Sequence, residues 1–111
     1  MDNTEDQAVE VVITAPEKQW LQQFIQNLMQ QHLCAAGHTY PFETTYHWRG
    51  TIHEKTETRG VLYTRASLVD RITELARQHH PYEVPHVTAT PLVAGNPDYL
   101  EWIFTETATA R

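Results

Sequence analysis

The chain holds one cysteine, four glycines and eight lysines and arginines in 111 residues, and each shortage removes a class of protein. With Cys34 alone an intrachain disulfide is impossible, which suits a reducing compartment, and a lone thiol reads first as a small buried apolar group. Four scattered glycines build no phosphate-cradling loop of the P-loop or dinucleotide kind. The eight basic residues stand apart from one another against 14 acidic ones, so the formal charge is −6 and no basic stripe is available for a nucleic-acid backbone. No apolar run approaches transmembrane length. The polar, acidic start, with Asp2, Glu5 and Asp6, lacks the basic and apolar regions of a signal peptide. The reading is a cytoplasmic protein with neither nucleic acid nor membrane as partner.

What remains is enough for one core. Hydrophobic residues at 41% are too many for a disordered chain, and 111 residues leave no room for a second domain. A single domain over 1–111 is expected, with 1–7 and 105–111 as flexible ends.

The β-branched run Ala8 to Thr14 predicts a strand that stops at Ala15-Pro16. Trp20, Leu21, Phe24, Ile25, Leu28, Met29 and Leu33 then recur at steps of three and four between glutamines, which predicts an amphipathic helix. After Gly37 the period becomes two: Tyr40, Phe42, Thr44, Tyr46 and Trp48 share one face of a strand. Gly50 reads as a bulge before Thr51-Ile52-His53, Glu54–Glu57 as a polar hairpin tip, and Thr58–Arg65 as the returning strand. Ser67 and Asp70 read as a variant capping box opening a second helix that ends near His79, because Pro81 disfavours helical geometry at His80. A strand from Val84 to Val93, kept to an edge by Pro85 and Pro91, and a short helix opened by Asn96-Pro97 complete the chain. Two βαβ-like halves joined by a long hairpin predict an α+β, ferredoxin-like sandwich with two helices on one face of four strands. The other face, with its aromatic row, is too apolar to leave in water, and self-association is the simplest cover.

The stretch His79-His80-Pro81-Tyr82-Glu83-Val84-Pro85 carries the densest chemistry. If a metal binds, His79 and His80 are the ligands and Glu83 an oxygen donor, with Pro81 supplying the bend that two adjacent residues need to reach one ion. Two imidazoles without sulfur favour Cu(II), Ni(II) or Zn(II) over Cu(I), held weakly; no cofactor is required. The competing reading has these histidines capping the helix or lining a subunit contact. His32, His38, His47, His53 and His86 share no ligand spacing. Trp48, Tyr82, Tyr99 and Trp102 are candidates for an amphipathic cleft or, equally, for interface core. Cys34 with a distant histidine, or the pair Glu54 and Glu57, lacks an orienting partner for catalysis, and the acids read as a solvated turn.

Three blocks in order, Tyr46-His47-Trp48-Arg49-Gly50-Thr51-Ile52 followed by Glu57, then His80-Pro81-Tyr82-Glu83-Val84-Pro85, then Gly95-Asn96-Pro97-Asp98-Tyr99-Leu100-Glu101-Trp102, resemble the CutA divalent-ion tolerance family over about residues 8 to 104. Thr14-Ala15-Pro16 also fits. The resemblance implies a ferredoxin-like protomer in a tight homotrimer similar to that of the PII signalling proteins, with clefts between neighbours, a role in tolerance of copper and other divalent ions, and no enzymatic activity. A PII-like ligand-sensing or adaptor module, with an unidentified protein partner, and a purely structural trimeric scaffold are the alternatives. Three departures matter: Ile13 stands where some members carry a copper-binding cysteine, Tyr63-Thr64 replaces a Lys-Thr pair, and Cys34 is displaced by one position.

Overall fold

Strand β1 (Ala8–Ala15) alternates so that Val9, Val11, Ile13 and Ala15 all reach the core, and it is paired on both edges. The computed structural model describes residues 6–108. Helix α1 (Lys18–Gln30) follows and buries Leu21, Phe24, Ile25 and Leu28. Strands β2 (Ala36–Trp48) and β3 (Thr51–Arg65) form a long antiparallel hairpin, and α2 (Val69–His79), β4 (Val87–Pro91) and α3 (Pro97–Glu106) complete the order. The sheet runs β2-β3-β1-β4 with antiparallel neighbours throughout, the α+β, ferredoxin-like arrangement that the element order predicts.

The core lies between the sheet and the first two helices, where β1 and Leu62 meet α1, Leu68, Ile72 and Ala76. Truncating a fully buried member such as Leu21 to alanine costs about 2–5 kcal/mol. Close approach of α1 depends on Gly60, where an added Cβ would stand 3.2 Å from both Ile13 Cγ2 and Ile25 Cδ1. Gly37 does the same at 3.0 Å from Ile25 and Leu62.

Several expectations are corrected. The hairpin tip is Arg49-Gly50, not Glu54–Glu57: Trp48 pairs with Thr51, and Arg49 (φ 51°) and Gly50 (φ 79°) form a two-residue turn. Gly50 is therefore no bulge, and Glu54–Glu57 lies inside β3. The first helix stops at Gln30 because His32 takes a left-handed φ of 57°, although Leu33 is buried as expected. Ser67 caps no helix; its hydroxyl bonds Asp6 instead, and a 3₁₀ turn at Ala66–Leu68 leads into α2. The last strand covers only Val87–Pro91, at the edge where its prolines confine it. The expected loose ends reach beyond the described residues, but within them Asp6 pairs with buried Arg65, and Thr107 accepts from the Arg65 guanidinium at 2.9 Å. The face opposite α1 and α2 is partly covered, since α3 sets Tyr99 against Tyr63 and the Phe104 carbonyl on Arg65.

β3 pairs with β1 only from Thr58 onward, so Thr51–Glu57 and the matching half of β2 extend as a two-stranded arm. This arm accounts for the long axis of a molecule measuring 45 × 27 × 24 Å.

Candidate functional site

Where α2 ends, the chain turns through residues 80–86 past the end of β1 and alongside the base of the arm. His80 leaves the helix with extended backbone (ψ 141°), as a residue before proline must. Its ring is half-buried against Trp20, with centroids 4.9 Å apart in an edge contact. Nδ1 faces the Tyr82 N–H at 2.9 Å and therefore accepts, which leaves Nε2 to donate to the Thr14 carbonyl at 2.7 Å. Only the neutral imidazole satisfies both bonds. Burial holds His80 below the usual histidine range, against the favourable pull of the Thr14 carbonyl and the Glu57 charge.

Tyr82 continues the network outward. Its hydroxyl donates to Glu57 Oε2 at 2.6 Å and accepts from Lys55 Nζ at 3.3 Å, while the ammonium also stands 5.4 Å from the ring centroid. Burial first, and then the Glu57 carboxylate and Tyr46, push its phenol well above the ordinary tyrosine range. Glu57 is buried, so the acid expected in a solvated turn instead anchors the turn that follows α2.

The sequence-predicted residues do not all converge. His79 is exposed and lines a groove between α1 and α2 with Trp20, Phe24 and Leu75. Glu83 is exposed and paired with Arg49 of the hairpin turn. Trp48 lies at the arm tip beneath the Arg49 guanidinium. Tyr99 and Trp102 sit together at the opposite end of the sheet, beside Tyr63. From Thr51, the partner of Trp48, to Tyr63 the strand runs 12 residues, about 40 Å, so one protomer cannot join the four aromatics in one cleft.

Among the described residues no three or more His, Cys, Asp or Glu side chains gather to hold a metal. Both His80 nitrogens are committed, Ile13 is fully buried, and burial pushes the Cys34 thiol up to about 11 beside Met29. Most remaining histidines have local partners: His53 stacks on Tyr46, His38 meets Tyr63, and His32 bonds the Glu106 carbonyl. Sequence reasoning missed Glu57, Lys55 and the Thr14 carbonyl as members of the network. A second period-two pattern was available, since Thr51, His53, Lys55 and Glu57 alternate in step with β2 across the Arg49-Gly50 turn.

A family model described as CutA1 divalent ion tolerance protein matches residues 9–106. The chain is similar to the rice protein CutA 1, chloroplastic, at 33% identity over 86% of this chain and 55% of that one. It is also similar to the divalent-cation tolerance protein CutA of Citrobacter koseri, at 31% over 92% and 93%. The crystal structure of CutA1 from Oryza sativa superposes with a TM-score of 0.89 at 31% identity, covering 94% of this chain and 96% of that one. The chain spans about half the length of the mouse and rice relatives that it matches.

Proposed function

The chain belongs to the CutA1 divalent ion tolerance family, and from that premise we propose that it serves the response to divalent metal ions as a homotrimer holding Cu(II) or Zn(II) weakly where subunits meet. The observation that carries the reading is the arm. Ile52 at its end is 63% exposed and Trp48 37%, apolar surface that a second copy of the chain would cover. Association also supplies what one protomer lacks, because the arm of one copy can bring Trp48 to the Tyr99 and Trp102 of another. A cytoplasmic setting belongs to the same proposal and rests on the single, buried thiol.

Of the proposed donors, His79 and Glu83 are open to solvent. The Glu83–Arg49 pair is exposed on both sides and easily surrendered to an ion. His80 acts here as a positioning residue, since ligation would cost it the Thr14 or Tyr82 bond. Neither the family description nor the relatives' names carry an enzymatic activity, and the reading assigns none. Isothermal titration of Cu(II) and Zn(II) tests it: affinity falls in His79→Ala and is largely kept in His80→Asn. Equal binding by wild type and His79→Ala removes the metal assignment.

A second reading, a PII-like ligand-sensing module, draws on the cavity between the start of α1 and the base of the arm, bordered by Pro16, Lys18, Tyr40, Pro41, Glu57 and Thr58. Thermal shifts with metabolites and none with metal salts separate the two.

A further inference from the structure

Arg59 is a cation without a counter-charge. Strand alternation turns it away from neighbouring Gly60, which faces α1, and so onto the sheet face opposite the first two helices. It is partly buried there, yet among the described residues it makes no hydrogen bond and no ion pair, and its Nε is buried without a partner. A guanidinium nitrogen in this state calls for an acceptor, because water is kept from it and no protein group replaces the lost bond.

The strand register shows why the protomer supplies none. Arg59 lies in a row across the sheet between Tyr40 of β2 and Thr14 of β1, and His86, one residue before the Val87 that pairs with Ile13, ends the row beside Thr14. None of these is an acid. Glu57 stands two residues along the same face, but the Tyr82 hydroxyl holds its carboxylate at 2.6 Å and no ion pair joins it to Arg59. His86 registers the unneutralised charge: burial first, and then the Arg59 guanidinium, hold it below the usual histidine range. Tyr40 is 45% exposed, so the row lies open at its β2 end. It is a sheet surface and not a cleft, since neither the groove between α1 and α2 nor the cavity at the start of α1 includes Arg59. A small anion would meet one wall only, whereas a second protein surface covers the row.

The chain itself offers that surface. It has 14 acidic against 8 basic residues, and Glu43 and Glu54 on the arm are exposed and make no ion pair among the described residues. We propose that a carboxylate of a second copy of this chain pairs with Arg59, its two oxygens taken by the guanidinium fork. The pair rests on the association proposed above and deepens it: the open sheet face joins the subunit contact and adds a charge requirement to apolar side chains.

Cross-linking tests the contact. Unlabelled and isotope-labelled copies of Arg59→Lys are refolded together and treated with a carbodiimide, which joins the introduced amine to a touching carboxylate with loss of water. Mass spectrometry then finds peptides that link position 59 of one label to an acid of the other, and their sequence names the acid. Sedimentation supplies the second readout: Arg59→Glu raises the dissociation constant of the assembly about a hundredfold, because like charges then meet at a desolvated pair, while Arg59→Lys stays within about tenfold of wild type. If Arg59→Glu fails to fold, the cross-link decides alone. An assembled protein with no mixed-label cross-link from position 59, or a folded Arg59→Glu that assembles as tightly as wild type, overturns the pair and leaves the association standing. A wild type that sediments as a monomer removes both.

Discussion

His80 shows how far one residue's role can move between chain and fold. In the sequence it is half of a His-His pair and a candidate ligand; in the structure its two bonds tie the turn after α2 to the end of β1. That role gives a pH dependence with a definite sign. Burial lowers the folded-state pKa of His80, so the unfolded chain takes up the proton first. The stabilisation is fully present above the unfolded value of about 6.5 and is lost as pH falls from there through the folded value. Urea midpoints between about pH 5 and pH 8 should therefore drop more steeply for wild type than for His80→Asn, whose amide does not titrate. Parallel slopes would remove His80 as the group responsible. Glu57 moved in the same way, from a charge in a polar run to a buried acceptor, and only the neighbouring strands decide that.

At the scale of elements, local signals held where nothing distant competed for them. Asn96 caps α3 by accepting from the Asp98 N–H at 3.1 Å, with Pro97 in the first turn, as its sequence foretells. Ser67 had an equally good local pattern, but Asp6, brought alongside by the sheet, took its hydroxyl. The hairpin was mislocated because charge marked Glu54–Glu57 as a turn, whereas backbone geometry put the turn where a glycine can hold φ 79°. Gly50→Val should cost about 1–2 kcal/mol, read as a lowered urea midpoint, because a β-branched residue pays the left-handed penalty there. A midpoint equal to that of wild type would mean that the arm tolerates another turn.

For the whole molecule, the arm is the feature that one protomer does not explain. It extends beyond the core from Thr58 toward the Arg49-Gly50 turn and carries apolar side chains into solvent at Trp48 and Ile52. The double variant Trp48→Glu/Ile52→Glu should run as a smaller species in light scattering while its far-UV circular dichroism stays that of wild type. An unchanged mass would remove the arm tips as the basis of the proposed association. Buried Arg65 joins the N-terminal Asp6, β3 and α3 in one polar cluster, a connection spanning the length of the sequence that no local pattern reveals.

By itself the sequence determined the order of elements, the amphipathic first helix, the edge placement of the proline-bracketed strand and the ferredoxin-like class, because periodicity and proline chemistry act within a few residues. Only the tertiary structure decided where the hairpin turns, that Glu57 is buried, that both His80 nitrogens are used, and that the start of α1 overlies the cavity beside Thr58. Each of these depends on which groups meet across the sheet, and a hydrogen bond goes to the partner that folding brings near.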